Sequence, residues 1–253
     1  MKTLLMRLAG PMQSWGVQDR FTHRHTGLEP SKSGVIGMLC AAMGWPRHQE
    51  HFQGYRLEDL SNLFFGVRVD REGLLEMDFQ TATGVIRAAS KAVKEDEPET
   101  VVSLRYYLAD ANFLVGLQGE NDNLLNLLDS ALYFPKWPLY LGRKAYVPGS
   151  PMRIGLADLG LKDVFHSYPW IARNSREKTR MIRKVEEDCE AGRPPQLRIV
   201  LDAPFGSTHE ERPDVPLSFA GRRFGKRCVE TGFMPLTREM IQEDDHVSLP
   251  LAS

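Results

Sequence analysis

Along the first 150 residues, apolar and polar positions alternate in blocks with two different periods. Leu4 to Leu8 is apolar on both faces of an extended chain and ends at the breaker pair Gly10-Pro11, which predicts a first strand. A loop carrying one large aromatic, Met12-Gln13-Ser14-Trp15-Gly16, follows. Val35, Met38, Leu39, Ala42 and Met43 then repeat at helical spacing behind two candidate caps, Ser31 and Ser33. Gly34 and Gly37 weaken this helix by ~1 kcal/mol each relative to alanine, and they let something approach its backbone closely. Phe65, Val67 and Val69 alternate with polar residues, as do Leu75, Met77 and Phe79; Arg71-Glu72-Gly73 between them predicts a hairpin. Residues 81 to 100 lose their period, which is too long for a plain connection, so the stretch is expected to be functional or mobile. Val101–Leu108 and Asn112–Leu117 read as strands. Leu124, Leu127, Leu128 and Ala131 read as a second helix opened by Asn121 or Asp122. The order strand, helix, strands, helix predicts an α+β fold with helices on one face of an antiparallel sheet.

The second half adds a strand candidate at Gln196–Asp202 and two cationic runs. One holds Arg173, Arg176, Lys178, Arg180, Arg183 and Lys184 and leads straight into Glu186, Glu187, Asp188 and Glu190; a charged, solvated helix accounts for it equally well. The other holds Arg222, Arg223, Lys226 and Arg227. A chain of 253 residues fits one large domain or two small ones and buries a core without staples. The formal net charge of -1 argues against a general nucleic-acid coat, so the placement of local clusters matters more than the total. Three widely spaced cysteines, Cys40, Cys189 and Cys228, exclude a disulfide framework or a CxxC zinc site. Arg7 cuts the first apolar run too short for a signal peptide, and no run reaches the ~18 residues of a membrane span, so a cytoplasmic protein is expected.

Three places carry candidate chemistry. Gly10–Gly16 and Pro30–Gly34 bring a strand end beside a helix start, where N–H groups, Ser31, Lys32 and Ser33 suit a phosphate; a plain N-cap with a solvated lysine is the alternative. Gly142-Arg143-Lys144 between Tyr140 and Tyr146 mixes cations with rings, as single-stranded RNA binding requires, or is a solvated loop with its tyrosines on the core. Arg105 and Tyr107 share one face of a strand. Seven histidines form no HExxH motif, and neither GxxxxGK[ST] nor GxSxG occurs. Metal-free RNA cleavage would fall to His23, His25, Tyr107 and Lys144, and a small-molecule enzyme would use the Ser31 helix start.

Four stretches in order are specific as a set: Arg7–Gly16, Pro30–Leu39, Arg105–Ala111 and Pro138–Lys144. Together they resemble the CasD family of subunits of type I-E CRISPR surveillance complexes (Cascade), over most of residues 4 to 148. The resemblance implies a ferredoxin-like (RRM-like) fold over a single domain, with a β-hairpin thumb at 81–105. It implies a non-catalytic subunit that caps the 5′ handle of the guide RNA (crRNA). Its partners would be the backbone and large subunits and target DNA near the seed, with no cofactor, metal or membrane. The implied RNA-binding residues are Met12, Gln13, Trp15, Arg24, Ser31, Lys32, Ser33, Gly34, Arg87, Arg105, Tyr107, Tyr140, Gly142, Arg143 and Lys144. In type I-C relatives the equivalent subunit cuts precursor RNA, but their lysine-histidine pair has no counterpart here, where Ala145 follows Lys144. Residues 150–253 match the resemblance poorly. With few apolar anchors, 81–100 is expected to order only in the complex, with Arg87, Lys91 and Lys94 on nucleic acid.

Overall fold

Strand β1 (Lys2–Ala9) has side chains buried on both of its faces, so layers must cover both sides of the sheet that contains it. The computed structural model describes residues 1–16, 19–20, 22–85, 99–170, 172–204 and 210–242. After β1 come the short strands β2 (Met12–Gln13), β3 (Asp19–Arg20) and β4 (His23–Arg24), then helix α1 (Lys32–Met43). The strands β5 (His51–Phe52) and β6 (Tyr55–Arg56) and helix α2 (Leu57–Ser61) lead to β7 (Phe64–Arg71) and β8 (Leu74–Val85). Strands β9 (Glu99–Ala109) and β10 (Asn112–Gly119), helix α3 (Asp122–Tyr133) and β11 (Arg153–Ala157) follow. The chain closes with α4 (Leu161–Ser167), α5 (Ser175–Glu190), β12 (Gln196–Ala203), β13 (Glu210–Ser218), β14 (Arg223–Pro235) and α6 (Arg238–Gln242).

Seven strands form one antiparallel sheet in the order β11-β1-β10-β7-β12-β14-β13. Helices α1 and α3 cover one face, closing a core that includes Leu4, Met6, Leu8, Phe65, Val67 and Val115. The opposite face carries a second core in which Leu5, Leu114 and Leu201 meet Val164 and Phe165 of α4, Trp170, Val185 of α5 and Ile241 of α6. Helices therefore flank both faces, which corrects the expectation of helices on one face; the covering layer comes from residues beyond 150. Arg68 crosses into that layer fully buried, donating to Asp70 and to the carbonyls of Phe165, Tyr168 and Pro169. Ser31, not Ser33, caps α1, its hydroxyl accepting from the Gly34 N–H, and Asn121 caps α3 in the same way. Among the described residues no helix is long and apolar enough to cross a membrane.

The expected hairpin at 71–73 is replaced by a longer device. Strand β7 pairs with β10, and β8 pairs with β9, in one nearly continuous antiparallel ribbon running from Phe64 opposite Gln118 to Val85 opposite Glu99. Residues 71–73 are the bend where this ribbon leaves the main sheet. Gly73 has φ +77° there, and a Cβ would lie 2.7 Å from the Ala109 carbonyl; Asp110 across the ribbon has φ +58°. Thr81–Val85 is strand despite its lack of period, because its partner is β9 and no core lies beneath it to impose alternation. Strands β2 and β4 flank β9 on its other edge, β4 running parallel to it. Arg87, Lys91 and Lys94 lie outside the described residues.

Candidate nucleic-acid interface

The loop 140–146 is pinned from below by the chain around Trp15. The Ser14 N–H donates to the Leu141 carbonyl at 3.1 Å, and the Ser14 hydroxyl to the Tyr106 carbonyl at 3.3 Å. Gly142, at φ +93°, passes so close that a Cβ would meet the Ser14 carbonyl oxygen at 1.8 Å. The next side chain, Arg143, donates to the Tyr146 hydroxyl and to the Arg24 carbonyl, both at 3.0 Å, and lies over the Tyr146 ring. The Tyr107 and Tyr146 rings sit 5.9 Å apart. Strand β9 carries Arg105 on the Tyr107 face, and β4 sets Arg24 directly beside Arg105. Arg24, Arg105, Tyr107 and Arg143, drawn from three distant parts of the chain, thus meet at the base of the ribbon.

The electrostatics of this group are unbalanced. Burial, then the Arg24 and Arg143 guanidiniums, pull Arg105 below the ordinary arginine range, with Tyr146 and Asp78 opposing. Like charges so placed repel one another unless an anion joins them. Arg24 and Arg143 have no carboxylate within ion-pairing distance among the described residues. The surface is thus a cationic site suited to an anion, with a half-buried ring, Tyr107, in its floor.

The same loop forms a wall of an open cleft of about 740 Å³. Ser33 and Gly34 from the first turn of α1 line it, as do Tyr140, Gly142 and Lys144. The cleft also recruits Arg47, His48, Arg56, Trp137 and Arg223, which sequence reasoning did not select. They come from four separate places, Arg47 and His48 together and the others singly, with no shared period; only Arg223 lay in a cationic run, and only the proline-flanked Trp137 gave a compositional sign. Trp137 is 44% exposed, so its ring is free to stack. Cys40 lines the cleft too, but burial pushes its thiol up to about 12, which leaves no thiolate near neutral pH.

The remaining expected residues do not present their side chains to this surface. Gln13 is fully buried and donates to the Leu8 and Ala111 carbonyls, while the Trp15 indole N–H donates to Gln13. Met12 packs against the core. These three shape the loop from beneath. Lys32 is the main correction: its ammonium is buried on Asp202 at 2.8 Å, and its N–H donates to Asp214. Burial chiefly lowers its pKa, with Asp202 opposing. The anion expected at the α1 start is therefore a carboxylate of the protein itself, and buried Ser31 is spent as the cap. Arg227 completes the cluster between Asp202 and Asp214, and Lys226 pairs with Glu211, so the run 222–227 divides between interior and surface.

A seven-stranded antiparallel sheet between helical layers, extended by a two-stranded ribbon with cations at its base, defines an α+β protein of mixed architecture. Residues 3–230 match the CRISPR-associated protein (Cas_Cas5) family, and the chain belongs to that family. It is 33% identical over 164 residues to the CRISPR system Cascade subunit CasD of Escherichia coli (strain K12), spanning 60% of this chain and 70% of that protein. A solved Cas protein is 36% identical, covering 93% of this chain and 96% of its own, with a TM-score of 0.67. A chain of a CRISPR RNA-guided surveillance complex is 32% identical, covering 92% of this chain and 90% of its own, with a TM-score of 0.70.

Proposed function

We propose that the chain is a guide-RNA-binding subunit of a type I-E CRISPR surveillance complex, and that it holds the 5′ handle of the guide without cutting it. The observation that carries this reading is the meeting of Arg24, Arg105 and Arg143 around Tyr107, beside a cleft that adds Lys144, Arg47 and Trp137. Cations beside the half-buried Tyr107 ring and the exposed Trp137 ring suit single-stranded RNA, whose phosphates take the charge and whose unstacked bases take the rings. The ferredoxin-like reading of the fold is supported by the order β1-α1-β7-β10-α3-β11 and by the sheet order β11-β1-β10-β7. We assign the thumb to the outer ribbon and propose that it presses against the guide where handle meets spacer, with the backbone and large subunits and the target DNA alongside. A binding role is supported by His23, which shares a hydrogen bond with Thr22, and by His25, which stacks on Tyr106; neither is set up as one half of an acid–base pair.

The experiment is co-purification of the tagged protein with its neighbouring subunits, followed by sequencing of the bound RNA. The expected RNA carries a repeat-derived 5′ end protected by this chain. Purified protein incubated with repeat RNA in EDTA is expected to leave it intact. Cutting at a defined repeat position, abolished by His25→Ala or Tyr107→Phe, would replace the binding role with a nuclease.

A further inference from the structure

Helix α5 presents a second cationic surface, on the opposite face of the main sheet from α1 and the cleft. Its inner side is apolar, with Met181, Ile182 and Val185 on the core. Arg176, Arg180 and Arg183 follow at i, i+4 and i+7 on the outer side and are exposed, with Lys184 beside them. At 1.5 Å per residue this row is about 10 Å long. Two of the neighbouring acidic residues turn away from the row, Glu177 to Arg71 at 2.7 Å and Glu186 to Arg238 at 2.7 Å. None of the three arginines has an ion-pair partner among the described residues. Glu187 lies on the same side one turn beyond Arg183 and marks the end of the row. The first turn of α5 is tied to the bend of the ribbon, where Arg71 bridges Asp110 and Glu177, and Arg173 pairs with Asp110. The row therefore starts at the root of the arm and has a fixed position relative to it.

From this geometry we infer that the outer face of α5 is a track for the phosphate backbone of duplex nucleic acid. It differs in kind from the cleft. Single-stranded binding combines cations with stacking rings, whereas α5 contains no aromatic residue at all. Nor does its outer face offer an amide side chain to read a base edge. A straight row of guanidiniums with neither rings nor amides beside it fits the regular charge of a duplex, which is one negative charge per ~1.7 Å of axis. The positive end of the helix dipole lies at the Arg176 end and adds to the field there.

The test is the salt dependence of binding of the full-length chain to a short random-sequence DNA duplex, and separately to single-stranded handle RNA. Converting Arg176, Arg180 and Arg183 together to Ala should lower the duplex slope of log K against log salt by ~2.7, at ~0.9 per phosphate contact. The slope with handle RNA should not change. A triple Arg→Lys variant should restore the duplex slope, and a triple Arg→Gln variant should reproduce the loss should the alanine variant fold poorly. Duplex binding with an unchanged slope overturns the track, as does a loss confined to handle RNA, which would assign α5 to the guide. Failure of handle RNA to bind at all, with the duplex result intact, counts against the guide-binding role alone.

Discussion

Gly142 and Lys32 show how differently single residues of the expected site are used. At Gly142 a side chain would collide with the Ser14 carbonyl, and the positive φ disfavours any L-residue. Gly142→Ala should cost about 1–3 kcal/mol for the backbone conformation alone and displace Arg143 from the Arg24 carbonyl. Urea unfolding and RNA affinity should both fall; affinity lost without stability would mean that the loop moves freely. Lys32 is part of the interior. Lys32→Ala should lower stability by up to about 3–5 kcal/mol, because it strips a buried partner from Asp202 while Arg227 remains to compensate in part. It should leave the salt slope of RNA binding unchanged, and a slope reduced at wild-type stability would return Lys32 to the site. The sequence around Lys32 has every mark of a phosphate site except the decisive one. Its counter-charges, Asp202 and Asp214, stand far along the chain, and no local pattern announces them.

Among the elements, the ribbon was the hardest to foresee and has the clearest consequences. Alternation in 65–69 and 75–79 was legible as two strands, but the pattern could not say that they continue one another through Gly73. The two halves differ in burial. Strand β7 is buried on both faces, whereas Leu75, Met77 and Phe79 of β8 are 57%, 51% and 64% exposed. An arm with so little covered surface adds little to global stability. Replacing residues 84–97 with a short Gly-Ser linker should leave the thermal midpoint nearly unchanged and weaken assembly with guide and backbone subunit strongly. Assembly equal to wild type would remove the thumb from the account. Arg68 in β7 is the opposite case. Its guanidinium ties the sheet to the carbonyls that lead into Trp170, so Arg68→Ala should cost about 3–5 kcal/mol by leaving Asp70 buried without its partner. Denaturant unfolding of that variant at or above wild-type stability would contradict this.

On the scale of the whole molecule, the first 150 residues supply most of the sheet's centre, and their periods were readable: β1, α1, β10 and α3 all form where expected. The layer on the far face was not foreseen, although β1 and β10 are apolar on both sides and that is its signature. The covering helices are individually weak signals: α4 and α6 are short, and α5 shows mostly charge. The candidate site was legible where cations and rings adjoin in sequence, at 105–107 and 140–146, and illegible where the fold gathers residues such as Arg47, Trp137 and Arg223.

The central claim is that the Arg24–Arg105–Arg143 surface grips the guide's 5′ handle. Its most direct measure is the salt dependence of handle-RNA binding by wild type and by an Arg24→Ala/Arg143→Ala double variant of matched stability. The account predicts a slope lower by ~1.4 in the variant, at ~0.7 per single-strand phosphate contact. An unchanged slope, with handle RNA still bound as tightly as by wild type, would contradict it.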